Sequence, residues 1–442
     1  MKILIKKVRS NPFWDKLLRN MIVALSGDSI SSIINILVLF ISIKIIGNKD
    51  YGIFILAQSY MLIFDSIFNF QSWQAIIKFG SKSLYEKNLK VFCSNIKGSS
   101  IVDFLSSIFG FILAVSLTSI IIKFTEWPNE IKVIIFISCL EVLFRFTNTP
   151  IGILRLANKF EMVAYQKIIT SLLRLFSVVI YWLFDFNSLA AFTIFYVSAN
   201  VVGNIVLIIF AFKELKKIVN IKQLLNAKLN SSGIEYYKFM GWTNISSTVD
   251  IPAKQLDVFI ISTFSIELVT VYKLYKQIAE ILGKLTAPLS QVIMPQFSML
   301  AAKKENNRGY EVVLKLKKVT LLFMIPLGII FSLVAPFILK FYFGNIYFQN
   351  SMVMILLIFS RIYSLSYAAL HPYFVSIGQV KKNFQIVLCA NIFYVLATLV
   401  LSQTIGIYGI VIAYLLEVIF IVNMKKKVIK RIIVNDEVLL SG

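Results

Sequence analysis

The sequence has little of what usually builds a catalytic or metal centre: one histidine, three cysteines and 22 acidic residues in 442 positions. Cys93, Cys139 and Cys389 lie far apart and form no CxxC pair, which argues against a disulfide framework or a thiolate metal site. No Walker A glycine loop occurs, so the chain is not expected to hydrolyse nucleotides. No paired carboxylates or activated nucleophile stand together in a polar segment, so no catalytic residue, metal or cofactor is expected. Charge itself is scarce at 15% of residues, less than a water-soluble chain of this length needs to cover its surface. The first 20 residues are basic, and the apolar run after them carries polar residues without a clear cleavage site, so a cleavable signal peptide is not expected.

Apolar residues fill the space that charge leaves. They make up 58% of the chain, aromatic residues make up 14%, and the mean hydropathy is +0.80. A bilayer core of about 30 Å takes about 20 apolar residues of helix. Twelve segments meet that need, at about 21–44, 52–76, 99–122, 133–152, 164–184, 189–212, 239–262, 268–297, 319–340, 352–376, 384–402 and 407–424. The expected architecture is an all-α membrane protein of two six-helix lobes. A basic tail (1–20) precedes the first lobe (21–212), a linker (213–238) joins it to the second (239–424), and a second basic tail (425–442) follows.

The formal net charge of +23 would suggest nucleic acid in a soluble protein. Here the lysines and arginines sit in short clusters between apolar runs, in the tails and in alternate connections, as the positive-inside rule requires. The connections of the other side hold only Lys49, Lys123 and Lys132. Both termini are therefore expected in the cytoplasm, with lipid rather than nucleic acid as the partner. A weak internal repeat supports the two lobes. Tyr51 and Tyr272 are 221 residues apart, as are Lys82 and Lys303; Pro150 and Pro372 are 222 apart, each followed by a small residue, Ala157 and Gly378.

Three motifs carry a family resemblance. Ile46-Gly47-Asn48-Lys49-Asp50-Tyr51-Gly52 joins the first two spans, Ile151-Gly152-Ile153-Leu154-Arg155-Leu156-Ala157-Asn158-Lys159-Phe160 follows the fourth, and Pro288-Leu289 with Val292-Ile293-Met294-Pro295-Gln296-Phe297-Ser298 ends the eighth. Together with the six-plus-six layout they resemble the Wzx-type oligosaccharide flippases of the multidrug/oligosaccharidyl-lipid/polysaccharide exporter superfamily. The resemblance implies a multi-pass protein of the bacterial inner membrane. It implies flipping of undecaprenyl-pyrophosphate-linked repeat units for O-antigen (lipopolysaccharide) or capsule assembly, by alternating access coupled to an ion gradient. It also implies polymerase and chain-length proteins of the same pathway as partners. The alternatives are a drug/cation antiporter of the same superfamily, or a membrane glycan polymerase or glycosyltransferase.

Ionisable side chains inside membrane helices are costly and mark functional sites or paired charges. Asp28, Ser31, Ser32 and Asn35 fall on one stripe of the first span, and Gln58, Asp65 and Asn69 on one stripe of the second. Asp250, Lys254 and Asp257 share a face of the seventh span; Lys273, Lys276, Glu280 and Lys284 share a face of the eighth. The candidate substrate-binding residues are Lys254, Lys273, Lys276, Lys284, Arg145 and Arg361, because cations contact a pyrophosphate by charge-assisted hydrogen bonds. The candidate coupling or cavity-lining residues are Asp28, Asp65, Asp250, Asp257 and Glu280. Simple pairing is the competing reading: Asp250, Lys254 and Asp257 with one another, Glu280 with Lys276 and Lys284, Glu141 with Arg145. Arg174 and Lys44 are expected to snorkel to an interface. His371 reads as a packing or cavity group more than a proton relay. Pro252, Pro288 and Pro326 are expected to interrupt their helices.

Overall fold

The computed structural model describes residues 12–229, 233–249, 251, 255–303 and 305–441, with side chains from 26 to 434 apart from several positions between 285 and 302. Every regular element among them is helical, as lipid demands: each backbone N–H and C=O must find its partner inside the segment. The all-α membrane architecture expected from the sequence is observed. Eight stretches of described helix are long and apolar enough to cross a membrane, from Ser26–Tyr85 to Ile407–Val434. They are fewer than the twelve expected spans for local reasons. The first two expected spans share one stretch, the fourth is cut into short pieces, the seventh includes positions outside the described residues, and the eighth is too polar along its length.

The chain divides between Thr248 and Val249 into two compact units. In the first, α1 (Pro12–Phe68) is kinked at Gly47, whose φ of 80° and ψ of 169° suit a residue without a Cβ. That glycine sits inside the quoted 46–52 motif and separates the first two expected spans. After a break come α2 (Ser72–Ala75) and a wider turn, then α3 (Leu89–Thr125). The fourth expected span is two helices, α4 (Ile131–Leu140) and α5 (Asn148–Leu156), and α6 (Phe160–Leu183) and α7 (Leu189–Leu215) complete the bundle.

Lipid tails are as apolar as leucine, so these helices associate through close packing and polar contacts rather than hydrophobic burial. A Cβ on Gly27 of α1 would come within 2.5 Å of the Ala164 Cβ on α6, and one on Gly203 of α7 would overlap the Thr170 hydroxyl. α8 (Ile234–Thr248), which falls in the stretch expected to open the second lobe, belongs to the first unit. The Tyr236 hydroxyl is 2.5 Å from Ser99 Oγ and donates to the Asn95 carbonyl at 3.1 Å, while Asn244 Nδ2 donates to the Ile67 carbonyl at 3.0 Å.

The second unit holds α9 (Asp257–Ser262), α10 (Ile266–Ala302), α11 (Asn306–Phe343), α12 (Ser351–Ser366), α13 (Leu370–Ser376), α14 (Val380–Ile405) and α15 (Ile407–Ser441). The expected interruptions are absent at Pro288 and Pro326, which lie within the unbroken α10 and α11. Proline is tolerated there because neighbouring helices and small local adjustments re-satisfy the freed carbonyl. Pro252 lies outside the described residues.

The repeat is visible in backbone geometry. α5 and α13 start 222 residues apart, and each follows a short break. Each ends on a left-handed residue, Asn158 at φ 57° and Gly378 at φ 76°. The next N–H then closes the same six-residue loop, Lys159 to the Leu154 carbonyl and Gln379 to the Phe374 carbonyl. The true counterpart of Gly378 is therefore Asn158, not the preceding Ala157. Each short helix also seats a core: Ile153 and Leu154 pack with Ile76, Phe92 and Leu207, and Tyr373 and Phe374 pack with Phe297, Val313 and Ile429.

Candidate functional site

Two interrupted helices meet in the first unit. α1 ends at Phe68 and helix resumes at Ser72 after a left-handed Gln71 (φ 50°). α4 ends at Leu140, makes one tight turn, and helix resumes at Asn148. Each break frees backbone groups that lipid cannot satisfy, so protein atoms must. Asn148 Nδ2 donates to Asn69 Oδ1 at 2.5 Å and ties the breaks together. Asp103 of α3, only 4% exposed, does the capping. Its Oδ2 accepts from the Thr149 N–H at 2.9 Å and from the Thr149 and Ser72 hydroxyls at 2.7 Å each. A carboxylate at the start of α5 also complements the helix dipole.

From this junction a polar chain runs through the bundle. Arg145 Nε lies 3.5 Å from the Asp65 carboxylate, and Arg145 Nη1 lies 3.7 Å from Glu141. Asn200 Nδ2 donates to the other Glu141 oxygen at 2.7 Å. Arg174 then donates from Nε to Asn200 Oδ1 at 2.5 Å and from Nη1 to Asn35 Oδ1 at 3.1 Å, with its guanidinium 5.2 Å from the Tyr196 ring centre. Arg174 is thus not a snorkelling residue. Its fork is held by two amides on neighbouring helices, a geometry that the planar guanidinium with its several donors suits. Nearer the start of α1, Asp28 pairs with Lys167 of α6 at 2.5 Å.

The second unit has a more compact arrangement. Asp257, 1% exposed, opens α9. Its Oδ2 accepts from the Tyr272 hydroxyl at 2.9 Å and from Lys276 Nζ at 2.5 Å. The ammonium of Lys276 also lies 5.9 Å from the Tyr272 ring centre. Glu280, the partner expected for Lys276 from its position one turn along α10, is exposed, as is Lys284. The contact comes from the neighbouring helix instead, where the carboxylate is buried and needs a cation most. Lys273 is partly buried one turn before Lys276. Arg361 of α12 reaches the Tyr414 hydroxyl of α15 at 3.5 Å and packs against Gly283 of α10. His371 Nδ1 lies 3.4 Å from Lys425 Nζ, at the start of α13. Asp250 and Lys254 lie outside the described residues.

Of the residues singled out from the sequence, the fold thus brings together Asp65 with Arg145, and Asp257 with Lys276. It adds Asp103 and Asn200, which periodicity did not nominate. Asp103 did carry a signal: it is the sole charged residue of the apolar run 99–122. Asn200 carried none beyond being an amide in an apolar helix.

Residues 17–301 match the family model for polysaccharide biosynthesis proteins. The chain belongs to the polysaccharide biosynthesis protein family. Inner membrane protein YghQ of Escherichia coli (strain K12) is 25% identical to this family member over 224 residues, which is 50% of this chain and 62% of that protein. The inner-membrane location expected from the sequence agrees with that relative. Among solved structures, an inward-facing multidrug resistance MATE family transporter of the MOP superfamily has a TM-score of 0.75 at 13% identity, covering 93% of this chain and 98% of that one. Lipid II flippase MurJ in an inward closed conformation has a TM-score of 0.73 at 16% identity, covering 95% and 91%. The polysaccharide biosynthesis family member therefore has the fold of that superfamily. That fold is shared by the solved multidrug transporter and the solved lipid II flippase.

Proposed function

We propose that this chain flips a lipid-linked oligosaccharide of the undecaprenyl-pyrophosphate class from the cytoplasmic to the periplasmic leaflet, for O-antigen, capsule or a related glycan. The observation that carries the reading is membership of a polysaccharide biosynthesis family by a chain with a flippase-like fold. Glycan assembly outside the membrane needs its lipid-linked precursor moved across, and a chain with this fold supplies a path rather than a reaction. Lys276, Lys273 and Arg361 are the cations we assign to the pyrophosphate, and Asp257 holds Lys276 in place between visits. Twelve spans with both termini inside are part of the same proposal.

Deleting the gene should abolish surface glycan while lipid-linked repeat units accumulate on the cytoplasmic leaflet. Loss of precursor synthesis in a cell-free membrane assay would make the protein an enzyme and end this reading. Topology is tested with single cysteines in a cysteine-free background. Exposed Asn187 and Asn345 should react with an impermeant thiol reagent from the periplasm, and exposed Lys87 should not. A drug/cation antiporter shares the fold. Efflux of organic cations by the purified protein, with no effect of the deletion on glycan, would favour it.

A further inference from the structure

A cavity of about 700 Å³ opens in the first unit where α1 passes the α6–α7 turn. None of its lining residues belongs to the polar chain described above. Lys44, Asp50, Trp182, Asp185 and Asn187 bring polar and aromatic groups to it, and Ile45, Val179 and Leu189 add an apolar wall. That is the size and mixture of a small-ligand pocket, for which about 300–1,000 Å³ is usual. Lys44 precedes the kink at Gly47 and Asp50 follows it, so the cavity takes groups from both arms of the bend.

The turn that forms the other wall is held firmly. Asp185 sits at φ 50°, a left-handed conformation that aspartate tolerates better than most residues. The Asp185 and Phe186 N–H groups donate to the Trp182 and Tyr181 carbonyls at 3.2 and 3.3 Å. Beneath them the Tyr181 ring packs on Phe186 and Phe192, with centres 6.0 and 5.4 Å away, and its hydroxyl donates to the Ser188 carbonyl at 3.3 Å. The Asp50 and Asp185 carboxylates both stand near that hydroxyl, so they converge on one end of the cavity. Yet the charges hold nothing together. The side chains of Lys44, Asp50, Asp185 and Asn187 make no salt bridge or hydrogen bond among the described residues.

Position narrows the ligand. α6 ends at Leu183 and α7 begins at Leu189, so the cavity lies at the ends of two membrane-length helices. The exposed Trp182 and Phe184 there are of the kind that settles at the level of lipid headgroups. In the proposed topology this is the periplasmic leaflet. Lys44 supplies one cation for a lipid phosphate. Asp50 and Asp185 oppose a headgroup that is only anionic. With the Asn187 amide oxygen they give three acceptors, matching the three donors of a primary ammonium, whereas a quaternary ammonium has no N–H to offer them. A neutral sugar would suit the tryptophan and the carboxylates but leave Lys44 and the apolar wall without a role. We propose that this cavity binds the headgroup of a zwitterionic aminophospholipid, with its phosphate at Lys44 and its ammonium at Asp50 and Asp185. The binding does not depend on what the chain transports.

The test uses the full-length protein, stripped of lipid in detergent, with phosphatidylethanolamine or phosphatidylcholine of identical acyl chains added back. Native mass spectrometry reads the affinity for each. Both lipids are zwitterionic, so the basic tails and loops do not favour either. The wild type should bind phosphatidylethanolamine about threefold more tightly, a modest factor because exposed ion pairs are weak. Asp50→Asn with Asp185→Asn should abolish that preference and leave phosphatidylcholine binding unchanged; asparagine also tolerates the left-handed position. Lys44→Gln should weaken both lipids, since both carry the phosphate. Thermal melts of the wild type with phosphatidylethanolamine or with free maltose complete the set, and the lipid should stabilise more, as a ligand of the folded state does by mass action. Equal binding of the two lipids by the wild type, a preference that survives the double aspartate variant, unchanged binding of both lipids by Lys44→Gln, or greater stabilisation by maltose would overturn the proposal.

Discussion

The first unit links its buried charge along a chain of side chains, whereas the second holds it at separate places, Asp257 with Lys276 at one and Glu417 and Lys425 elsewhere. Asp65, Arg145, Glu141, Asn200, Arg174 and Asn35 link α1, the α4–α5 connection, α6 and α7. Asp257 and Lys276 link α9 to α10, with Tyr272 beside them. The backbone differs in parallel. Helix is broken at 69–71 and again before Asn148 in the first unit, while α10 runs unbroken and only the α12–α13 break has a counterpart. The two halves share a scaffold but not an electrostatic plan. A chain of partners offers each charge more than one neighbour, so losing one link is partly absorbed. Asp257 has one lysine at ion-pair distance among the described residues, with the Tyr272 hydroxyl as a neutral donor beside it.

The sharpest way to break that comparison is Lys276→Met. It leaves the Asp257 carboxylate buried without the cation now 2.5 Å away, which should cost about 3–5 kcal/mol of stability. Combining it with Asp257→Asn should restore most of that loss, since neither charge is then buried. Thermal melts of the membrane-extracted protein check both variants. Additive losses in the double variant would show that the two residues do not depend on each other. Export should stay impaired even in the stable double variant if Lys276 also meets the pyrophosphate.

A smaller effect is expected at the heart of the chain. Arg174→Lys keeps the charge but loses the fork that reaches Asn200 and Asn35 together. We expect a loss of about 1–2 kcal/mol, the worth of one or two hydrogen bonds to a charged group. The same melts read it. A loss as large as that of Lys276→Met would remove the distinction between a network and a pair.

These contacts also mark the limit of what the sequence carried. Hydrophobic runs and basic clusters revealed the helical membrane architecture, because bilayer thickness and charge asymmetry act on stretches of many residues. The kink at Gly47 was legible through its motif, and the Glu141–Arg145 pair through its helical spacing. Partners from different helices were not. Periodicity places Lys276 on a face of α10 but says nothing about what faces it, so Glu280 seemed the nearer partner than Asp257. Arg174 looked like a snorkelling residue because the two amides that hold it lie on other helices. The break before Asn148 was hidden for a similar reason. The run 133–152 is apolar enough for one helix, and the side chain that stabilises its interruption, Asp103, comes from α3.

The smallest expected effect lies in what the halves share. α5 and α13 end in the same hydrogen-bonded loop, but the left-handed residue is Asn158 in one and Gly378 in the other. An L residue with a Cβ pays about 1–2 kcal/mol to sit there, and asparagine pays less because its short amide can bond locally. Gly378→Ala should therefore destabilise the protein by about 1 kcal/mol. Gly378→Asn should cost no more than about 0.5 kcal/mol, because it rebuilds the other half's cap, and Asn158→Gly should change stability by a few tenths at most. Melting temperatures of the three variants, measured side by side, test the equivalence directly. If Gly378→Asn were as damaging as Gly378→Ala, the two loops would share a hydrogen-bond pattern without sharing the conformational demand that makes them repeats.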